Sequence, residues 1–272
     1  MKTINHFFSF VLFSFLLSLT VGCKSDDPKI QVTTSSVTDI DGNVYKAISI
    51  GTQTWMVENL RTTKYRNGDS INLKQRPDSI YIATNGDTIR VKRSGIPINV
   101  LNNSVWSTLN IGAECVYNNS TNADSISKYG RLYNYYALTD SRNIAPAGWH
   151  IPTSSEWIIL QNYVNAHLTG SGNLAKSLAA STNWNTTTEV GAIGNDLSLN
   201  NLSGFSALPG GYRYNDGKFE GTGVKSSWWS CSNGPYLGSA WYMGLFHYYN
   251  DKIWSVNALQ YGLSVRCIKD AK

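Results

Sequence analysis

Ile151-Pro152-Thr153-Ser154-Ser155-Glu156-Trp157-Ile158-Ile159-Leu160-Gln161-Asn162-Tyr163-Val164-Asn165-Ala166-His167 carries the strongest helix signal in a chain otherwise rich in strand patterns. Thr153-Ser154-Ser155-Glu156 is a capping box, in which the threonine hydroxyl accepts from an orphan backbone amide and the glutamate reaches back. Trp157, Leu160, Tyr163, Val164 and His167 then recur at helical spacing as one apolar stripe. Residues 173–180 read as a further short helix. Upstream, Tyr129, Leu132, Tyr133 and Tyr136 follow the i, i+3, i+4, i+7 rule and predict a helix over residues 129–138.

On both sides of these helices the pattern turns to β. Residues 37–51 hold Asp41-Gly42, a strong hairpin turn between β-branched flanks. The string Asp39-x-Asp41-Gly42 lacks the distal carboxylate that closes a calcium loop, so it reads as a turn. Residues 53–60 predict another strand. Asn67-Gly68-Asp69-Ser70-Ile71 is echoed by Asn85-Gly86-Asp87-Thr88-Ile89, which predicts a β-hairpin arm over residues 67–98. Strand-like segments return at 205–213, 227–230, 240–245, 253–256 and 263–268. Strands at both ends, with two or three short helices and long irregular loops between, give an α+β class with mixed and antiparallel sheets, not a wound parallel sheet.

The beginning of the chain has a different character. Lys2 precedes an apolar stretch over residues 6–19 that is too short to span a bilayer comfortably but suits a signal-peptide core. It closes with Leu19-Thr20-Val21-Gly22-Cys23, which resembles a lipobox. Residues 1–22 are therefore expected to be a lipoprotein signal peptide and Cys23 the lipidated (palmitate-bearing) residue. Residues 23–36 read as a flexible tether, and Lys24-Ser25-Asp26-Asp27 resembles an acidic export tag to the cell surface. The expectation is an outer-membrane, surface-facing protein held by its lipid anchor. Acyl chains contribute roughly 0.8 kcal/mol per buried methylene, enough for multiple chains to anchor without a spanning helix.

The 272 residues are 15% charged and 12% aromatic, with 16 Tyr and 23 Gly. Apolar surface suffices for a core in one domain over residues 37–272. A net charge of +5, with lysines and arginines scattered, gives no basic patch for nucleic acid. Beyond Cys23, the odd set Cys115, Cys231 and Cys267 allows at most one disulfide, and spacing alone does not choose the pair. The absence of C-x-x-C or His/Cys clusters excludes a usual zinc site, and no metal or cofactor is expected.

Several strings together resemble the Fibrobacter succinogenes major paralogous domain. They are Asp41-Gly42-Asn43-Val44-Tyr45, Gly51-Thr52-Gln53-Thr54-Trp55-Met56-Val57-Glu58-Asn59-Leu60 and Tyr129-Gly130-Arg131-Leu132-Tyr133-Asn134-Tyr135-Tyr136. Pro146-Ala147-Gly148-Trp149-His150-Ile151-Pro152, Gly204-Phe205-Ser206-Ala207-Leu208-Pro209-Gly210-Gly211-Tyr212-Arg213 and Ser264-Val265-Arg266-Cys267-Ile268 follow in the family's order. The resemblance implies a C-type-lectin-like fold whose terminal strands pair at the base. Residues 74–98 depart from it as an insertion holding the second hairpin unit. Ala145 stands where the family often has Cys, and Cys231 where it has a small hydroxyl residue. The resemblance thus implies a disulfide from Cys267 that is lost or moved to Cys231, with the move favoured.

Chemistry is sparse. His150 reads as packing, His167 as part of the helix stripe, and no Gly-x-Ser-x-Gly elbow accompanies any histidine. Glu156, Glu189 and Asp196 fall in no acid–base signature, so no catalysis is expected. The sugar-binding triplets of calcium lectins are missing as well. A binding surface remains: Trp228, Trp229, Trp241, His247, Tyr248 and Tyr249 are the candidate ligand-binding residues, because exposed aromatic faces stack on sugars and anchor proteins. One of Trp228 and Trp229 should face outward, since strand neighbours point to opposite sides. Four Asp-Ser/Thr-Ile strings, starting at Asp69, Asp78, Asp87 and Asp124, resemble an O-glycan acceptor motif. The expected function is a non-catalytic surface lipoprotein binding an extracellular glycan or protein. The alternatives are an oxidase-like or glycan-modifying enzyme, or a structural envelope component marked by burial of Trp228, Trp241 and Trp254.

Overall fold

Asp39 explains why the first hairpin closes where it does. Its Oδ1 accepts from the backbone amides of Asp41 and Asn43, both at 2.9 Å, and Gly42 takes the left-handed φ of 84° that the turn requires. The computed structural model describes residues 35–74, 79–82, 88–91, 96–97, 100–168 and 173–271. The expected signal peptide, the lipidation site Cys23 and most of the tether lie outside the described residues.

In chain order the strands begin with β1 (Ser35–Thr38), β2 (Val44–Ile50), β3 (Gln53–Met56), β4 (Leu73–Lys74), β5 (Ser79–Ile82), β6 (Thr88–Val91) and β7 (Ile96–Pro97). A middle section follows with α1 (Asn103–Ser107), β8 (Glu114–Cys115), α2 (Ala123–Tyr129), β9 (Leu132–Tyr133), α3 (Tyr135–Thr139), β10 (Trp149–His150), α4 (Ser154–His167) and α5 (Leu174–Leu178). The chain closes with β11 (Gly210–Arg213), β12 (Phe219–Thr222), β13 (Lys225–Asn233), β14 (Ser239–Phe246), β15 (Ile253–Ala258) and β16 (Ile268–Lys269). The fold is α+β, as expected, with five short α-helices among the described residues where two or three were predicted.

Two five-stranded sheets carry the structure. One has the order β1-β2-β3-β16-β10, so the last strand pairs with β3 near the start of the domain. The other has the order β12-β11-β13-β14-β15 and is antiparallel except where β11 meets β13. β4 pairs with β7, and β5 pairs with β6, with Ser79 opposite Val91 and Ile82 opposite Thr88. Both pairings lie within residues 67–98, where the hairpin arm was expected.

The capping box at α4 forms as read: Thr153 Oγ1 accepts from the Glu156 amide at 3.3 Å, and Glu156 Oε2 accepts from the Thr153 amide at 2.8 Å. The predicted helix over 129–138 does not form. Gly130, at φ 75°, ends α2, and an added Cβ there would lie 2.7 Å from Asn59 Cβ. Leu132 and Tyr133 then pair with Cys115 and Glu114, and Asn134 caps a new helix, α3. The strand expected over 53–60 stops at Met56, and of the last expected strand, 263–268, only Ile268 falls in a regular strand, β16.

The core contains a knot of aromatic rings. Trp55, Trp157, Phe205 and Trp228 pack with centroid separations from 4.7 to 6.4 Å. Trp229 points to the opposite side of β13, 5.5 Å from Tyr135, with its indole N–H donating to the Tyr133 carbonyl at 2.8 Å. Cys231 and Cys267 are free thiols, which corrects the expected disulfide. Both act as small apolar fillers of the same cluster, where burial pushes each thiol up and keeps it protonated.

Candidate binding recess

The excursion of residues 179–209, between α5 and β11, is held by polar anchors because it has little regular structure of its own. Lys176, buried in α5, donates its ammonium to the carbonyls of Asn195 and Asp196. The Asn200 side-chain amide donates to the carbonyls of Ala180 (3.1 Å) and Ile193 (3.2 Å). The excursion is thereby fixed in front of the loop that follows β14. The Gly194 amide donates to the His247 carbonyl at 2.7 Å, and the Ile193 amide to the Tyr249 carbonyl at 3.2 Å. Gly194 allows this approach, since a Cβ there would meet the Asn185 carbonyl at 2.2 Å. These contacts make one wall of two loops distant in sequence.

Between them lies an open recess of about 590 Å³, lined by Thr187, Glu189, Val190, Ala192, His247, Tyr248, Tyr249 and Asn250. Tyr248 and Tyr249 are 39% and 45% exposed, enough for each ring to offer a face to a ligand. Their centroids are 4.6 Å apart, and Phe246 supports both at 5.7 and 5.6 Å. His247 packs edge-on against Tyr248 at 5.0 Å, and its Nδ1 lies 3.2 Å from the Asn185 carbonyl. Rings that stack, next to hydroxyl, amide and carboxylate groups that hydrogen-bond, suit a polar ligand with apolar faces.

Of the six residues the sequence singled out, His247, Tyr248 and Tyr249 come together here. Trp228 and Trp229 do not, and this is a correction: both have no exposure. β13 runs between β11 and β14, and its first six residues, Lys225 to Ser230, are all buried, so along that stretch neither side of the strand reaches water. Trp241 is half-buried and stacks on Trp254 at 5.6 Å, apart from the recess. The opposite wall, from Thr187 to Ala192, was invisible in the sequence because nothing in its composition announces what it faces. Glu189 was noted there only as an isolated carboxylate.

Lys225 is a second feature that sequence reading missed. Its ammonium lies over the rings of Tyr212 (4.2 Å), Phe246 (4.7 Å) and Tyr242 (5.4 Å). Burial lowers its pKa to about 8, against the pull of Glu220. It thus packs on Phe246, the ring that contacts both tyrosines of the pair.

Fold and site together define a class: an α+β domain whose irregular excursion and sheet-end loop enclose an aromatic, polar recess. The model of the Fibrobacter succinogenes major domain matches residues 48–269, and the chain belongs to that family. No curated relative and no solved structure matches the chain.

Proposed function

We propose that this protein is a surface lipoprotein, anchored through Cys23, whose domain binds an extracellular glycan in the recess beside Tyr248 and Tyr249. The observation that carries the reading is the pairing of two exposed tyrosine faces with the polar side chains of Thr187, Glu189, His247 and Asn250 around one open cavity. Sugar rings present apolar C–H faces bordered by hydroxyls, which such a lining complements. The lectin-like reading draws on the resemblance and on the meeting of chain ends through β3 and β16. The outer-membrane location draws on the leader and acidic tether alone. No helix among the described residues is long and apolar enough to cross a membrane.

A protein ligand is the second reading, favoured by Val190, which is 89% exposed on the recess wall. The structural-component reading would gain from burial of Trp228, Trp241 and Trp254 together, but only Trp228 is buried. Glycan and protein arrays probed with purified residues 24–272 distinguish these readings. Binding to a glycan class should fall roughly tenfold in the Tyr248→Ala, Tyr249→Ala double variant, on the scale of two lost stacking contacts. Binding to neither class, or undiminished binding by the double variant, counts against the proposal.

A further inference from the structure

Arg266 has no exposure to speak of, at 1%, yet no carboxylate forms an ion pair with it among the described residues. Its Nε and Nη2 donate to the Asn59 Oδ1 at 3.3 and 3.1 Å, and Nη1 donates to the Phe205 carbonyl. The guanidinium plane lies 4.2 Å from the Phe205 ring centroid and 5.5 Å from that of Trp228. These partners are all neutral, and they leave part of the donor fork unused. Buried charges are normally paired, because removing an ion from water costs more than neutral hydrogen bonds return. Burial lowers the Arg266 pKa to about 9, with Glu58 opposing, as suits a cation lacking a close counter-ion.

Arg266 is also one of the residues that line a pocket of about 280 Å³. A second cation, Lys128, lines the same pocket together with the Ser181 and Thr182 hydroxyls, while the Ser206 hydroxyl there already donates to Asn201 Oδ1 at 3.1 Å. Lys128 is exposed and already oriented, donating to Asn183 Oδ1 at 2.5 Å. Glu58 is the one acid of the lining, and its Oε2 is engaged by the Lys46 amide at 2.8 Å. Two cations and two hydroxyls thus line one polar pocket whose single acid already accepts a backbone amide.

We propose that this pocket binds an anionic group, a carboxylate or a tetrahedral oxyanion, carried on a small polar molecule such as an acidic sugar. The volume falls near the lower end of small-ligand pockets, about 300–1,000 Å³, so it admits one ring or less. The site is separate from the tyrosine recess in its lining and does not depend on that reading. The excursion of residues 179–209 contributes to both.

Calorimetric titration of the intact purified protein at fixed ionic strength tests this, with sodium glucuronate, sulfate and phosphate as probes and glucose as the neutral control. Saturable binding of at least one anion is expected, with none for glucose. Glucuronate alone would assign an acidic sugar; sulfate or phosphate binding equally well would assign a free or esterified oxyanion, and either supports the site. Lys128→Glu and Thr182→Glu, both at exposed positions, should each weaken binding roughly tenfold, while Tyr248→Ala should leave it unchanged. Failure of every anion to bind saturably overturns the proposal, as does an affinity indifferent to both glutamate substitutions.

Discussion

Trp228 and Tyr248 are both late aromatics in strand-rich sequence, yet their surroundings assign them opposite roles. The Trp228 indole donates to Asn59 Oδ1 at 2.8 Å inside the ring cluster, while Tyr248 meets solvent at the recess. Trp228→Ala is therefore expected to cost about 3–5 kcal/mol, as large-to-small changes at buried aromatics do. Tyr248→Ala should change stability by less than about 1 kcal/mol, in the range of surface substitutions. Urea unfolding midpoints of the two variants give the comparison, and equal losses would mean that Tyr248 belongs to the core. Asn59 shows how much one polar residue can hold. It accepts from Trp228 and Arg266 and donates to the Tyr129 carbonyl at 2.9 Å, joining three distant segments in one buried node.

Among the elements, the start of α4 is tied to the end of the chain by His150. Its Nε2 lies 2.7 Å from Glu156 Oε1 and its Nδ1 2.7 Å from Asp270 Oδ1. Burial works against the imidazolium, but the hydrogen bonds and charges of Asp270 and Glu156 outweigh it and raise the His150 pKa. A raised pKa places this stabilisation below the unfolded value of about 6.5 and removes it as pH rises through the folded value. Glu156 is shifted the other way: burial raises it, but hydrogen bonds from Thr153 and His150 lower it overall. Its contribution is present above the unfolded carboxylate range and is lost as pH falls through the folded value. The clamp should thus contribute most near pH 5–6. His150→Gln should lower the melting temperature at pH 6 more than at pH 8.5. The difference should be at most about 3 °C, since partly exposed pairs contribute under ~1 kcal/mol. A pH-independent loss on thermal melting would show that packing alone is at work. Gly130→Ala belongs to the same scale. It puts a side chain on a φ of 75° and against Asn59, so a loss above about 1 kcal/mol in chemical denaturation is expected. A neutral result would mean that the break between α2 and β9 has another cause.

At the level of the whole molecule, among the described residues β5 and β6 pair with each other and with no other strand, and β4 pairs with β7. Replacing residues 75–95 by an Asn-Gly turn between Lys74 and Ile96 should leave the melting temperature within about 3 °C, because the two large sheets are untouched. A cooperative loss of the fold would mean that residues 75–95 are integral to the core. Local signals explain what could be read beforehand. Asp41-Gly42 and Thr153-Ser154-Ser155-Glu156 satisfy their hydrogen bonds within a few residues, so their residue types suffice to place a turn and a helix start. The aromatic spacing over 129–138 misled because it reports only a period. It holds no information on the close approach of Asn59 that forces a break at Gly130. Trp228 and Trp229 misled for a related reason: alternation assumes one wet face, and the stretch of β13 that holds them has none.

The sequence by itself determined the α+β class, the first hairpin, the capped helix, the family and the aromatic loop His247-Tyr248-Tyr249, since each is written in contiguous residues or in a specific series of strings. Only the tertiary structure decided which tryptophans are buried, that Cys231 and Cys267 stay unpaired, and that residues 187–192 face the tyrosines. It also decided that Arg266 and Lys128 line one pocket. Those outcomes depend on which distant segments share a boundary, and burial and electrostatics act through that proximity in space rather than along the chain.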